Sequence, residues 1–259
     1  MQGDKTKVLL IDIETAPMLV YAWGIWEQNI GLEMIVQDWH LLSFAAKWLG
    51  EKEMIYEDQA ERRDMTDDSQ MLKHIHRLLD EADIVIAQNG DGFDLPKIRA
   101  RMIQKGLPPP SPIRTVDTLK VAKKEFGFTS NKLLYLSSAL GCKVRKDNHV
   151  EFPGFELWKE CLARNKRAWK VMRRYNIDDV LSLEDVYLKM RPFIPNHPNL
   201  GVNSKGVVCP KCGGEVHSRG YALTQANRYQ RFQCQKCGGW SRRKAGLLSK
   251  SERQNQLAN

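Results

Sequence analysis

The chain has 259 residues, 42% of them hydrophobic, which is enough for one sizeable core and a small appended module. It contains no run of about 18 apolar residues, so no membrane span is expected. The net charge of +9 lies in residues 201–259, which hold 11 Lys and Arg against two acidic residues. A strongly basic module indicates a polyanionic partner, with solubility alone as the alternative.

The predicted elements alternate between strands and helices, which indicates an α/β domain with a mixed sheet. The first residues read as a strand and not as a signal peptide, so a reducing, cytoplasmic location is the default expectation. Strands are predicted at 7–13, 18–27, 40–46, 54–58, 82–89 and 114–118. Helices are predicted at 68–81, with Asp68 as the cap, at 93–105, 119–127 and 131–141, and as one helix or two across 162–190.

Four carboxylates occur at the ends of predicted elements, where they repel one another unless cations hold them together. Asp12 and Glu14 end the first strand and, two residues apart, point the same way. Asp94 opens a helix after a turn that contains Gly90 and Gly92. Without His or Cys among them, the four favour Mg²⁺ or Mn²⁺ over zinc.

The fourth carboxylate, Asp179, lies on a predicted helix one turn after Tyr175, so the two side chains share a face. The neighbouring Asp178 does not have this spacing, and we assign the site to Asp179. An unperturbed phenol has a pKa near 10, so Tyr175 is expected to orient a water by hydrogen bonding and not to act as a strong base. Asp117 is expected to cap the following helix.

Three segments resemble the motifs of the DEDD exonuclease superfamily, in the correct order. They are D-x-E-T at 12–15, N-x-x-x-F-D at 89–94, which is similar to B-family DNA polymerase proofreading domains, and Y-x-x-x-D at 175–179. The resemblance covers roughly 5–190 and implies an RNase H-like mixed five-stranded sheet flanked by helices. It identifies the chain as similar to the tyrosine-type members, the DEDDy exonucleases.

This resemblance implies a 3′→5′ exonuclease that uses two Mg²⁺ or Mn²⁺ ions. Asp12, Glu14 and Asp179 would hold the ion with the attacking water, which Tyr175 would orient. Asp12 would bridge to the second ion, supported by Asp94 partly through water. Other residues of the second motif that would contact nucleic acid are Asn89 and Phe93.

Two C-x-x-C pairs in the basic module have close to zinc-ribbon spacing and predict one structural Zn²⁺ site, with redox disulfides as the alternative. Glycines after each pair allow tight turns. Too few apolar residues lie between the pairs for an independent core, so the metal would supply folding energy. The four ligands would be Cys209, Cys212, Cys234 and Cys237.

Arginines are interleaved with aromatic residues between and after these pairs, a pattern that suits phosphate contact and base stacking. Packing of the ribbon is the alternative role for the aromatics. The residues expected to bind nucleic acid are Arg228, Arg231, Arg242 and Arg243.

The predicted organisation is an exonuclease domain at 1–190, a Pro-rich linker at 191–206, a zinc ribbon at 207–244 and a disordered tail at 245–259. The expected substrate is nucleic acid with a free 3′ end, and the polymerase-like second motif favours DNA. An RNA exonuclease and a non-catalytic nucleic-acid-binding adaptor are the alternatives. The ribbon would add substrate affinity or recruit a protein partner.

Overall fold

A computed structural model describes residues 6–143 and 150–257. The chain forms two compact units, an α/β unit of Lys7–Tyr187 and a C-terminal unit that begins at Leu188. None of the helices in the described residues combines the length and apolar content needed to cross a membrane.

The α/β unit contains seven strands, six α-helices and one short 3-10 helix (Leu32–Met34) within the part of the chain described above. The strands are β1 (Val8–Thr15), β2 (Leu19–Val20), β3 (Ile35–Gln37), β4 (Leu41–Trp48), β5 (Ile55–Asp58), β6 (Ile84–Ala87) and β7 (Arg114–Asp117). The helices are α1 (Ser69–Glu81), α2 (Asp94–Gln104), α3 (Thr118–Glu125), α4 (Leu133–Ala139), α5 (Glu156–Leu162) and α6 (Lys166–Met190), whose last turn passes into the C-terminal unit.

Five strands form one mixed sheet in the order β5-β4-β1-β6-β7. Strand β1 lies at its centre, antiparallel to β4 and parallel to β6. Strand β5 extends the antiparallel side and β7 the parallel side. The predicted α/β fold with a mixed five-stranded sheet is therefore confirmed.

Alternate side chains of β1 have different surroundings. Leu9, Ile11 and Ile13 are buried in a core cluster with apolar residues of α1 and α2. Because side chains alternate along a strand, Asp12 and Glu14 point to the opposite face. That face is the one that meets α6, as shown by the bond between Asn176 and Asp12. The fold thus places the two carboxylates beneath the helix that carries the third.

One predicted strand differs from the structure, and the structure decides between the two alternatives for one helical region. The strand predicted at 18–27 is wrong beyond the short β2, because Trp23 is 97% exposed and Ile25 is 85% exposed, so no core covers these apolar side chains. Of the two alternatives for 162–190, the structure has one long helix, α6, because α5 ends at Leu162 and Arg164, with a φ of 62°, separates the two helices. The Asn165 side chain then accepts bonds from Arg167 and Ala168 at the start of α6.

Asp68 precedes α1 as predicted, but its carboxylate does not cap the helix. It accepts hydrogen bonds from the Leu41 amide at 3.0 Å and from the Arg101 side chain at 2.7 and 2.8 Å. The prediction of a side-chain cap is therefore wrong. The buried carboxylate instead ties β4 to α2, because the arginine fork satisfies both of its oxygens.

The C-terminal unit contains a three-stranded antiparallel sheet of β8 (Val216–Thr224), β9 (Asn227–Cys234) and β10 (Trp240–Arg242), in the order β10-β9-β8. Within this unit, Leu200 donates to the Pro210 carbonyl at 2.7 Å, and the Lys211 ammonium contacts the Pro192 carbonyl. The segment predicted as a linker at 191–206 therefore bonds to the cysteine module.

A last helix, α7 (Lys250–Gln254), lies in the segment for which the sequence predicts disorder. The Ser249 hydroxyl accepts from the Glu252 amide at 3.2 Å and caps this helix. The last two positions of the predicted tail, 258–259, lie outside the described residues. The four domain boundaries stay predictions.

Candidate active site and cysteine cluster

Three of the predicted ligand carboxylates meet at one point. Asp12 and Glu14 of β1 and Asp179 of α6 each place a carboxylate oxygen within 4.8 Å of the other two. Asp179 is 3% exposed, and the two strand residues are half-buried. Charges this close and this poorly hydrated repel strongly, so the group could hold a metal ion.

The buried side-chain amide of Asn176 orients Asp12, one of the three carboxylates. Asn176 Nδ2 donates to Asp12 Oδ2 at 2.6 Å and to the Asp12 carbonyl at 3.2 Å. Asn176 Oδ1 accepts from the Ser43 hydroxyl at 3.1 Å, which fixes the orientation of the amide. The sequence interpretation missed this residue, although a signal exists. Asn176 lies three residues before Asp179 and therefore shares its helix face.

Tyr175 lies beside the carboxylates in a largely apolar setting. Its ring packs edge-to-face on Trp158 of α5, with ring centroids 5.9 Å apart. The ring is half-buried against a cluster that includes Ala16, Leu157 and Met172. This packing restricts the ring, because χ rotation would collide with close-packed neighbours. The phenol is thereby held at the cleft that contains the acidic group.

Asp94 lies at the first turn of α2 and is 2% exposed. Its Oδ1 accepts from the Ile13 amide at 3.1 Å, which directs it toward β1. The structure does not bring it into the group of three carboxylates within 4.8 Å. Burial raises the pKa of Asp94 to about 7, the Ile13 amide opposes this shift, and the charges of Asp117 and Asp179 add to it. A nearby cation would favour its charged form.

The turn before α2 contains a residue in the left-handed backbone conformation. Asn89 has a φ of 64°, and Asp117 accepts from the amides of Asn89 at 3.0 Å and Asp91 at 3.3 Å. Asp117 also caps α3, as predicted. A Cβ on Gly90 would lie 2.4 Å from that of Ala87, so glycine is required there. The second motif is therefore anchored at both ends.

All seven predicted site residues of the α/β unit line one open cleft of about 760 Å³. Phe93 is 37% exposed there, and the side chains of Lys123 and Lys132 contribute positive charge to the lining. The cleft therefore combines carboxylates that could hold cations, lysines that could contact phosphates and an accessible aromatic ring. The lining residues predicted from the sequence are Asp12, Glu14, Asn89, Phe93, Asp94, Tyr175 and Asp179.

A family model described as the RNase_H superfamily matches residues 39–191, more than half of the chain. The chain belongs to the RNase_H superfamily. The match begins after Asp12 and Glu14, so the placement of these two residues rests on the sheet geometry given above. Superfamily membership and the acidic group are both consistent with nuclease chemistry.

The fold of this RNase_H superfamily member is similar to a solved structure of the family B DNA polymerase from the hyperthermophilic archaeon Pyrobaculum calidifontis. The TM-score is 0.53 with 14% sequence identity, over 73% of this chain and 26% of the polymerase. The chain thus spans about a quarter of that polymerase, and the likeness concerns the fold. No curated protein matches the sequence.

The C-terminal unit of this superfamily member gathers the four predicted cysteines into one cluster, with sulfurs within 4.8 Å of one another. Cys209 Sγ lies 3.7 Å from Cys237 Sγ, and Cys212 Sγ lies 3.5 Å from Cys234 Sγ. Tetrahedral zinc with Zn–S bonds of about 2.3 Å requires sulfurs about 3.8 Å apart. All four are free thiols, so the geometry fits a metal site and not disulfides.

Backbone amides and glycines shape the two cysteine turns. The amides of Cys237 and Lys236 donate to Cys234 Sγ at 3.4 and 3.3 Å. Burial opposes ionisation of this thiol, but these amides, together with hydrogen bonds from the Cys212 and Cys237 thiols, outweigh it and lower the pKa of Cys234 to about 7. Gly213 and Gly238 have φ values of 70° and 74°, which confirms the predicted need for glycine after each pair.

Each of the four predicted nucleic-acid-binding arginines lies over an aromatic ring of the same unit. The distances from the guanidinium carbon to the ring centre are 4.7 Å for Arg228 on Tyr221, 4.8 Å for Arg231 on Trp240, 3.9 Å for Arg242 on Tyr229 and 5.5 Å for Arg243 on Phe232. Such cation–π pairs restrict long side chains that would otherwise be mobile.

Proposed function

We propose that the protein is a metal-dependent 3′→5′ exonuclease that hydrolyses phosphodiester bonds at the 3′ ends of nucleic acid, with DNA preferred. The observation that carries the proposal is the convergence of Asp12, Glu14 and Asp179 from distant parts of the chain on one open cleft. Tyr175 and Asp94, the remaining residues of the DEDDy pattern, line the same cleft.

The donor set of the acidic group fits Mg²⁺ or Mn²⁺. All its ligand atoms are carboxylate oxygens, which hard divalent cations prefer. Asp12, Glu14 and Asp179 would hold one ion, and Asp12 with Asp94 a second. When bound, such ions supply Lewis acidity to an attacking water and to a leaving oxygen.

The remaining residues position the substrate. Tyr175 orients the attacking water by a hydrogen bond, and the Trp158 packing keeps its phenol in place. Asn176 fixes the rotamer of Asp12. In this proposal Asn89 and Phe93 contact the terminal nucleotide, and Lys123 and Lys132 of the same cleft attract its phosphates.

The cysteine cluster would bind one structural Zn²⁺, since four thiolates form a closed site with no open position for chemistry. Its role in the proposal is to fold the basic module that adds affinity for the substrate. Recruitment of a protein partner through this module is the alternative. An RNA exonuclease is the alternative for the α/β unit, and a non-catalytic nucleic-acid-binding adaptor is the alternative of another class.

The test uses single-stranded DNA and RNA of equal length, labelled at either end, with Mg²⁺ added or withheld. We expect Mg²⁺-dependent release of labelled mononucleotide from 3′-labelled DNA, a shortening ladder from 5′-labelled DNA, and slower cleavage of RNA. Faster cleavage of RNA would favour the RNA exonuclease. Binding without cleavage of either strand would favour the adaptor and overturn the proposal.

The matching variant is Asp12→Ala, which we expect to abolish cleavage while it leaves substrate binding largely intact, because Asp12 is a ligand of the acidic group. Equilibrium binding of the same labelled DNA supplies the second measurement. Cleavage by this variant at the wild-type rate would show that the site is misassigned.

A further inference from the structure

The sheet of the C-terminal unit has two unlike faces. Residues paired across antiparallel strands lie on the same face, and residues two apart along a strand share a face. Arg231 pairs with Arg242, and Gln233 pairs with Trp240. One face, here called the open face, therefore carries Tyr229, Arg231, Trp240 and Arg242.

Like charges are opposed on the open face. Arg231 and Arg242 are direct cross-strand partners, an arrangement that destabilises a sheet unless an anion compensates it. Each guanidinium lies over a ring of the same face, Arg231 over Trp240 and Arg242 over Tyr229. The only acidic residues of 201–259 are Glu215 and Glu252, and neither lies on β9 or β10. The open face therefore favours an anionic ligand.

The opposite face is buried near the cysteine cluster, whereas Tyr221, farther along the same face, is 53% exposed. Phe232 is 8% exposed and Cys234, a residue of the cysteine cluster, is 2% exposed. Arg243 lies over Phe232, and its Nε donates to Gln230 Oε1 at 3.1 Å. Arg243 thus covers the buried Phe232 ring.

Arg228 belongs to this second face as well, since it lies over Tyr221, the cross-strand partner of Gln230. It also has a carboxylate nearby. Bonds from Ser249 lower the pKa of Glu252, and the charge of Arg228 contributes to the same shift. All four arginines have neutral partners within the unit, since Arg231 Nε donates to the Arg219 carbonyl at 3.0 Å and Arg242 donates to the Arg243 carbonyl at 3.5 Å. Arg231 and Arg242 differ from the other two in that they oppose each other directly on one face.

We propose that the open face binds single-stranded nucleic acid, with Arg231 and Arg242 on the phosphates and Trp240 stacked on a base, and that Arg228 and Arg243 take no part. The Trp240 side chain remains 46% exposed although Arg231 lies over it. Base stacking requires an accessible base face, which a duplex hides. This inference deepens the proposed function, because it rests on nucleic acid as the substrate.

The structure supplies a matched pair of double variants, R231Q/R242Q and R228Q/R243Q, which remove the same charge from different faces. Both are made in the full-length chain that carries Asp12→Asn, so that bound strands are not cleaved. The probe is a fluorescent oligothymidylate, measured by anisotropy from low to moderate salt. Zinc content and thermal unfolding of each variant verify that the unit remains folded.

We expect R231Q/R242Q to weaken binding about 10-fold or more and to reduce the slope of log K against log salt by roughly 1.4, that is about 0.7 for each lost phosphate contact. R228Q/R243Q should change the affinity less than about 3-fold. Trp240→Ala should weaken binding about 10-fold with an unchanged salt slope, because stacking releases no counterions, and Trp240→Phe should restore part of the loss.

Equal losses from the two double variants would overturn the assignment of a face and indicate diffuse attraction. No loss from R231Q/R242Q or from Trp240→Ala would overturn nucleic acid binding by this face and favour a protein partner. Duplex DNA that binds as tightly as the single strand would overturn the stacking role. Mg²⁺-dependent cleavage by the chain without Asp12→Asn is measured separately, so failure of the exonuclease proposal is distinguishable from failure of this one.

Discussion

The two units of the molecule bring their candidate metal ligands together in opposite ways. The α/β unit takes its carboxylates from β1 and α6, far apart in the sequence, and a core of buried aliphatics holds them in place. The C-terminal unit takes all four cysteines from a short stretch with little core of its own. In the first unit the fold brings the ligands together, whereas in the second a bound metal would supply much of the folding free energy. Removing a ligand should therefore have opposite consequences.

The largest expected effect is the loss of the C-terminal fold in Cys234→Ser. A structural zinc site supplies on the order of 10 kcal/mol or more, which this small unit cannot replace. Hydrogen exchange should show β8, β9 and β10 unprotected, while β1, β4 and β6 keep their protection. Cys142→Ser is the control, since Cys142 is buried outside the cluster. Full protection of β9 in the zinc-free variant would show that the C-terminal unit folds without its metal.

The second effect is chemical and not structural. Asp179→Asn should lower the rate of cleavage about 10³-fold, which corresponds to roughly 4 kcal/mol of lost metal assistance. The melting temperature should not fall, because the variant relieves repulsion from Asp12 and Glu14. Asp178→Asn, one residue away and outside the acidic group, should retain near wild-type activity. An equal loss of activity in both variants would contradict the assignment of the metal ligand to Asp179 and not to Asp178.

A smaller effect is expected for Asn176→Ala, which removes the donor to Asp12. Residues that orient metal ligands typically contribute about 10–100-fold in metal affinity or activity. The specific readout is the Mg²⁺ concentration for half-maximal cleavage, which should rise. Ser43→Ala leaves the Asn176 amide in place and should raise this Mg²⁺ concentration less. An unchanged Mg²⁺ dependence in Asn176→Ala would leave this residue with a packing role only.

The smallest expected effect is a gain in stability and not a loss, in the variant Asp94→Asn. The raised pKa of Asp94, about 7, means that the folded state binds its proton more tightly than the unfolded chain does. This contribution to stability is present at low pH and is lost as the pH rises from about 4 to about 7. Asp94→Asn should therefore stabilise the metal-free α/β unit at pH 8 by roughly 1–2 kcal/mol, while it slows cleavage.

Urea unfolding at pH 5 and pH 8 without divalent ions measures this difference. The amide oxygen that Asp94→Asn introduces can still accept the bond from the Ile13 amide, so the comparison isolates charge. A variant that is less stable than wild type at both pH values would show that Asp94 is part of the scaffold. In that case the α/β unit, like the C-terminal unit, would be destabilised by the loss of a candidate metal ligand.

Features that depend on short-range patterns could be predicted from the sequence. The aliphatic run of β1, the start of α2 at Asp94 and the C-x-x-C pairs are local, and each has the predicted place in the structure. Period-two and period-four spacing also predicted that Asp12 and Glu14 share a face and that Asp179 shares one with Tyr175.

Features that depend on tertiary contacts could not be predicted. Asp68 resembles a helix cap in sequence, but its partner Arg101 comes from another helix. The apolar stretch at 18–27 has strand-like composition, but no element covers it, so most of it is not a strand. The four arginines of the C-terminal unit look equivalent in sequence, because only strand register separates the open face from the opposite one.

The hydrogen bond from Asn176 to Asp12 joins residues separated by 164 positions. During synthesis, β1 and the whole five-stranded sheet leave the ribosome before α6 does. A nascent chain, or any fragment that stops short of α6, would contain the sheet without the third carboxylate or its orienting amide. In the proposed function, the capacity to cleave nucleic acid would therefore arise only once the α/β unit is complete.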